Sequence, residues 1–493
     1  MKNTISILPL LFLYLPLQAA TLHIGSGQPY PDLMSAVNVA QPGDTLLLHA
    51  GVYAGGLTIT NLKGTQNQWI TIKNAPGASV IFEGGSNAIY FIDPAYLHIS
   101  GLIFQHQTGN GVNTDDGGTY DTPAHHVIFE QCTFRDIAAG GDNDLLKLSG
   151  LDSFEVRNCS FLNGAGGGSG IDMVGCHYGK IISSYFERLG TNAIQCKGGS
   201  EYLRIEGNYF QTSGGLATLN IGGNTDLALF RPDTAHFEAA RVQVYANIII
   251  GTIAPVVYTG SVEVDVANNT IYMPDLWVLR ILQENVDPNR FLPCGNNWFR
   301  NNIVYLSVNN IPNPSIGPNT APQTFTFSNN LWYNKDNPSW IGPNLPVTET
   351  NQLLNQDPLL TNPGNNDFSI PANSPAAGNG LYLSGLTLDF QQQPFANPPS
   401  IGAVEANTAS GLKQPEELPL TVFPNPARHT FQLIFPASQT PVFPMPVQIS
   451  DLSGRPVYQQ TIHQASDMLR IGHLSKGVYI VQAGRFVGKV EVI

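Results

Sequence analysis

The amino-acid sequence predicts an all-β solenoid of stacked coils, and three observations carry that expectation. A short unit returns four times, as Asp144-Leu-Leu-Lys147-Leu-Ser-Gly150, Gly170-Ile-Asp172-Met-Val-Gly175, Ala193-Ile-Gln-Cys-Lys197-Gly-Gly-Ser200 and Leu219-Asn220-Ile-Gly-Gly223. The first three are each followed by a polar, β-rich segment ending in an aromatic, at Phe161, Phe186 and Phe210, which lie 25 and 24 residues apart. That period belongs to repeats too small to bury a core alone, so each must stack on its neighbours. The composition agrees: 49 Gly and only 12% charged residues suit many turns and short strands.

Taken in order, residues 1 to 20 open with Lys2, run through the apolar Ile5 to Leu17 and close on Ala19-Ala20, the layout of a cleaved secretory signal. Its apolar run falls short of the roughly 20 residues that a membrane-spanning helix needs. No later stretch reads as a span. A mature chain of about 470 residues exceeds the usual single globular core, which leaves several domains or an elongated repeat. Tyr30 to Gln41 carries Leu33, Ala36, Val37 and Ala40 at helical spacing, and Pro42-Gly43-Asp44 ends it. Thr45 to Tyr53 then reads as a strand and a turn. A lone helix ahead of many strands suits a cap over the open end of a solenoid.

From Leu57 to about Tyr333 strands and turns alternate. A second register appears here: Asn208, Asn247, Asn269, Asn302 and Asn330 each precede an apolar residue by two, at gaps of 39, 22, 33 and 28 residues. Asparagine tolerates left-handed backbone and its amide can bond to the coils above and below. The long gaps mark inserted loops, Asn224 to Glu238 and Glu284 to Cys294, and insertions in solenoids gather on a binding face.

The leading Gly-Gln-Pro-Tyr-Pro-Asp-Leu with Pro-Gly-Asp, the ladder of coils, and the closing Asp357-Pro-Leu-Leu, Ser374-Pro-Ala-Ala and Ile401-Gly-Ala-Val-Glu405 resemble right-handed parallel β-helix proteins of the pectate-lyase-like superfamily. The similarity covers roughly residues 21 to 407 and speaks to fold more than to reaction, since one scaffold hosts several chemistries. Residues 408 to 419 read as a polar linker. From 420 to 493, Val422-Phe-Pro-Asn-Pro426, Ile449-Ser-Asp-Leu-Ser-Gly-Arg455, Leu474-Ser-Lys-Gly-Val-Tyr-Ile-Val481 and the final Gly488-Lys-Val-Glu-Val-Ile resemble the type A sorting domain of the type IX secretion system, a small β-sandwich. That resemblance implies engagement with the type IX machinery and delivery to the outside or outer surface of a Gram-negative cell.

Beyond Leu412 there are seven Lys/Arg and five Asp/Glu; removing these and Lys2 from totals of 23 and 36 leaves 15 and 31, a net charge of 15 − 31 = −16 in the main body. Such a body repels nucleic acid. Five cysteines do not pair completely, and Cys132 and Cys159 sit in matching units, so buried stacked thiols are expected. A monomer is expected.

Residues at equal phase in successive coils form a row on one face. Anchoring on Phe161 and Phe186 puts Lys147 beside Asp172, while Lys197 falls one position out of phase unless the turn between has lost a residue. Lys147, Asp172, Lys197 and Asn220 thus form a row or near-row on the outer wall. Isolated lysines on outer strands are usually just solvated, and Asp172 near His177 has turn hydrogen bonds to satisfy. What distinguishes the group is its company, with Gly198-Gly199 and Gly222-Gly223 leaving a concave place beside Lys197 and Asn220. The inserted regions add Arg231 and Glu238, and Arg280, Gln283 and Glu284, either as salt bridges within each loop or as polar fingers suited to a sugar chain.

Asn192 to Gly223 is similar to chondroitinase-B-type and alginate lyases, in which a lysine before a Gly/Ser turn is the base and an arginine one coil later assists. The resemblance implies the base for Lys197; the second position here is Asn220. Removing a proton next to a uronate carboxyl takes a base of lowered pKa and positive charge for the developing enolate. Lys147 is expected to lower the pKa of Lys197 by like-charge repulsion. Arg231, Arg280 or a calcium ion held by Asp142, Asp144 and Asp172 would supply the cation. Lys197, Lys147, Asn220 and Arg231 are therefore the candidate catalytic residues, and Asp172, His177, Glu238, Arg280, Gln283 and Glu284 the candidate substrate ligands. Hydrolysis would need a carboxylate pair; Asp115-Asp116 lacks the surrounding signatures of polygalacturonases. The expected function is β-elimination on an extracellular, acidic polysaccharide, with a non-catalytic carbohydrate-binding or adhesive protein, or a glycoside hydrolase, as alternatives.

Overall fold

A computed structural model describes residues 19–118, 122–406, 418–436, 441, 443–451, 456–472, 474–484 and 486–493. All but the last two residues of both the expected export signal and the expected linker lie outside the described residues. No helix among the described residues is long and apolar enough to cross a membrane.

Strands of about four residues follow one another with hardly any helix, and each finds its partner one coil away. One coil runs Thr45–Leu48, Gly51–Ala54 and Leu57–Thr60, and the chain then returns beside its start at Ile70–Asn74. Repetition builds three parallel sheets of 13, 12 and 10 strands, called here the first, second and third sheet in the order a coil visits them. This is a right-handed parallel β-helix. Alternation along each strand sends one set of side chains inward. The expected aromatics form a column in that interior: Phe134, Phe161, Phe186 and Phe210 are stacked with ring centroids 4.8 Å apart, and Phe104 and Phe82 continue it toward the N-terminus. Each fully buried ring contributes roughly 1.5–3 kcal/mol relative to exposure.

A second interior column is the asparagine ladder. Asn208 donates through its backbone and side-chain N–H groups to Asn247 Oδ1, and the same pair of bonds repeats from Asn247 to Asn269, Asn302 and Asn330, all at 2.9–3.0 Å. Asn330 hands the chain to the carboxylate of Glu349, which also accepts from Trp332 Nε1 at 2.8 Å.

The capping helix is Leu33–Val37, shorter than the periodic stretch from 30 to 41. Asp32 sets its start by accepting from Ser35 N at 2.8 Å, and Leu33 and Ala36 are buried over the first coil. Trp340, Leu345 and Val347 pack against the other end of the core. The closing segment lies over the outside of the second sheet, where Phe368, Ala403 and Val404 bury Tyr185, Tyr209 and Ile248. A cleft lies instead on the third sheet's outer face. All five cysteines are free and buried.

The C-terminal domain packs a five-stranded sheet against a three-stranded one around Phe431, Val447, Ile449, Val481 and Val490, a small β-sandwich as expected.

Candidate functional site

The outer row of the third sheet is fixed by the strand register: Lys147, Asp172, Gln195, Asn220, Val257 and Arg280 lie side by side on successive rungs. Lys147 stands opposite Asp172, as the sequence implied. Lys197 is two positions beyond the row, opposite Val174, and Gln195 takes the place beside Asp172. The cause is the connection into the strand: Asp172 follows Phe161 by 172 − 161 = 11 residues, whereas Gln195 follows Phe186 by 195 − 186 = 9. A shift of two, unlike the shift of one anticipated from sequence, keeps Lys197 on the same face.

Above this row lies a cleft of about 380 Å³. Lys147, Asp172, Lys197, Asn220, Arg280, Glu284, Asp142 and Asp144 all line it. So do Gln195, Asn192 and Thr259, which the sequence reading passed over. The period of two in a strand would have flagged Gln195 once Lys197 was placed; Thr259 carried no local signal.

Asp172 is almost wholly buried between the two lysines. Lys147 Nζ donates to Asp172 Oδ2 and lies 3.6 Å from Asp144 Oδ2, while Lys197 Nζ lies 3.4 Å from Asp172 Oδ2. Asp172 Oδ1 is buried without a partner. Burial and the adjacent Asp172 charge push the Asp144 carboxyl up to about 7, against the opposing pull of Lys147. Burial pulls the Lys147 ammonium down, but the carboxylates of Asp172 and Asp144 outweigh it and hold its pKa above the usual lysine value. The expected repulsion between Lys147 and Lys197 is thus replaced by a carboxylate shared between them.

Asn220 Oδ1 accepts from Thr259 Oγ1 at 3.0 Å, which leaves the amide N–H₂ as the end with no partner among the described residues. Gly222 and Gly199 are needed for close backbone approach more than for concavity: an added Cβ would lie 1.6 Å from Thr259 O and 2.5 Å from Arg231 O. Gly223 alone of the four opens directly onto the stem of Lys197, whose Cδ lies 3.1 Å from such a Cβ.

Arg231, His177, Glu238 and Gln283 lie outside the cleft lining, at the junction of the inserted loops. Arg231 grips both oxygens of Asp152 at 2.7 and 3.0 Å and donates to Gly175 O at 2.9 Å. His177 donates from Nε2 to Gly199 O at 3.1 Å, and its Nδ1 lies 3.2 Å from Asp152 Oδ1 and 3.1 Å from Arg231. Burial raises the Asp152 carboxyl, but bonds from His177 and Arg231 overcome it and hold the group at about 2. Glu238 accepts from Gly198 N at 2.8 Å, from Thr225 N and Oγ1 at 2.9 and 2.7 Å, and from Asn285 Nδ2. Gln283 braces Asn285 O and Cys294 N at 2.7 Å each. The salt bridges anticipated within each loop, Arg231 with Glu238 and Arg280 with Glu284, are absent among the described residues; Arg231 turns to Asp152 in an earlier coil.

Calcium does not fit the proposed acidic set. The Lys147 ammonium already stands between Asp144 and Asp172, and no group of three or more His, Cys, Asp or Glu among the described residues is arranged to hold a metal.

The crystal structure of pectate lyase Pel9A aligns over 79% of this chain and 96% of its own at 15% identity and a TM-score of 0.49. The alginate lyase from Paenibacillus sp. str. FPU-7 aligns over 64% and 97% at 18% identity and a TM-score of 0.40, and the GH136 lacto-N-biosidase from Eubacterium ramulus over 68% and 68% at 11% and 0.42. These are likenesses of backbone course. No curated protein sequence matches the chain. Residues 421–489 match the secretion system C-terminal sorting domain, so the chain carries an address for secretion or attachment at the cell surface.

Proposed function

We propose that the protein cleaves an extracellular uronic-acid polysaccharide by β-elimination in this cleft, with Lys197 as the base, after type IX export from a Gram-negative cell. One observation carries the reading: Lys147 is tied to Asp172 by a hydrogen bond, whereas the Lys197 amine has only the 3.4 Å contact and opens to the cleft. The amine takes the proton from the carbon next to the uronate carboxyl, the electron pair forms the new carbon–carbon double bond as the bond to the glycosidic oxygen breaks, and that oxygen takes a proton from solvent as it leaves. The N–H₂ of Asn220, held by Thr259, is a fixed donor for charge developing on the carboxyl oxygens, the role that an arginine would fill electrostatically. The cleft sets Lys147, Lys197 and Arg280 among Asp142, Asp144, Asp172 and Glu284, so an anionic chain is held by local contacts with the open ends of Lys197 and Arg280 rather than by a net positive field.

The test is Lys197→Ala. Removing a general base costs about 10²–10⁴ in rate, so product with a conjugated double bond, read by its near-ultraviolet absorbance, should all but vanish while circular dichroism stays unchanged. Undiminished activity would remove the assigned base. A second reading, hydrolysis, is favoured by the Asp144–Asp172 pair, in which one carboxyl is raised to about 7 as a general acid needs to be. New reducing ends without ultraviolet absorbance would select it.

A further inference from the structure

The cleft holds an arginine without an ion pair among the described residues. Seven arginines of the β-helix reach a carboxylate: Arg135, Arg157, Arg188, Arg204, Arg231, Arg241 and Arg300. Arg290 donates to the Asp233 carbonyl. Arg280 has neither an ion pair nor a hydrogen bond among the described residues, and its Nε is buried without a partner. Arg231 Nε and Arg290 Nε are unpaired too, but their terminal nitrogens are bonded; among the β-helix arginines Arg280 alone has a whole guanidinium without a polar partner among the described residues, which points to a partner that arrives from outside.

Its position is nonetheless fixed. The guanidinium lies over the ring of Trp277, with Cζ 4.7 Å from the centroid, and Trp277 packs against Ala217, Ala254, Val257 and Leu282. Stacking on an aromatic leaves the planar edge of a guanidinium free for two parallel bonds to a carboxylate. The distance from the base is equally fixed. Between the strand of Lys197 and that of Arg280 lie the strands Ala217–Gly222 and Val256–Thr259, a separation of three rungs. At about 4.8 Å per rung that is roughly 14 Å. A sugar residue of an extended chain spans about one rung, so the carboxyl activated for proton loss at Lys197 is out of Arg280's reach.

We infer that Arg280 is a remote subsite for a second carboxylate, on a sugar about three residues from the bond that is cut. It binds a polymer with acid groups at repeated positions and sets a minimum substrate length. This deepens the uronate reading and rests on it. On the rung between Asn220 and Arg280 the row position is the buried apolar Val257, and the hydroxyl proton of Thr259 on that strand is given to Asn220, so charged contacts lie at the two ends of the stretch.

The experiment is calorimetric titration of oligogalacturonates and oligomannuronates of increasing length into full-length Lys197→Ala, which binds without cutting, and into Lys197→Ala/Arg280→Ala. Chains of about two residues should bind both alike, whereas chains of about six, long enough to span the three rungs, should bind the double variant about tenfold to a hundredfold more weakly. Carboxyl-reduced chains of the same length should show no difference, and Arg280→Lys should recover part of the loss. A loss independent of length, or shared by the carboxyl-reduced chains, overturns the subsite while leaving the uronate cleft standing. Equal binding of the long acidic chains to both variants does the same. Failure of every oligouronate to bind Lys197→Ala overturns both.

Discussion

At the loop junction, Arg231 spends its terminal nitrogens on Asp152 and Gly175, and Glu238 collects four donors from three chain segments. In the adjoining cleft, Arg280 has no acid, Asp172 keeps an orphan oxygen and Lys197 holds a single loose contact. The residue types are the same and the sequence offered them together. What separates them is whether the charged end is met: Arg231 has an unpaired Nε of its own, but both its terminal nitrogens are bonded and hold the chain in place, whereas a guanidinium or ammonium end left open is available to a ligand. Glu238 joins the two regions, since its bond to Gly198 N fixes the turn that follows Lys197.

That contrast can be broken by mutation. Lys197→Ala should lose about 10²–10⁴ in turnover without a change in melting temperature, whereas Arg231→Ala should strand Asp152 and cost about 3 kcal/mol of stability, read by denaturant unfolding. If the two variants lose activity and stability in parallel, the division between site and brace is wrong. In the interior, Asn269→Ala removes an acceptor from two N–H groups of Asn247 and should cost about 2–4 kcal/mol.

The two regions should also fail at opposite ends of the pH scale. Asp144 is faced by Asp172, Lys147 and Lys197, and its carboxyl titrates near 7 in the folded protein, above its unfolded value. The folded state therefore binds the extra proton, and this contribution is complete in acid and lost as pH rises from about 4 to 7. Asp152, held at about 2, behaves in reverse, its contribution vanishing as pH falls from about 4 to 2. Buried Asp389, raised to about 6, shares the upper window, so the measurement is the difference between wild type and Asp144→Asn. A flat difference from pH 4 to 7 would contradict the assignment. The smallest effect is expected from calcium: with an ammonium between Asp144 and Asp172, chelation should leave activity unaltered.

Much of the fold was legible because it rests on short-range repetition. The phenylalanine column and the asparagine ladder each follow from one residue type at a coil-length spacing, the helical cap from apolar residues at helical spacing, and the sorting domain from contiguous motifs. The site was legible only in part. Lys147 and Asp172 share a row because the connections on either side are of equal length, but the Gly-rich stretch between Phe161 and Asp172 is two residues longer than its successor, which no local pattern reveals. Arg231 was misplaced for a similar reason. Its partner Asp152 lies 79 positions earlier, and nothing near Arg231 in sequence hints at that pairing.

The last rung of the asparagine ladder bears on how the stack of coils ends. Each amide both takes and gives, so a column of asparagines has no natural end and invites another molecule's coil to continue it. Glu349 takes from Asn330 and Trp332 but has no N–H₂ to pass on. A carboxylate there acts as a stop codon does in a message: the pattern upstream is intact, and extension into fibres finds nothing to copy.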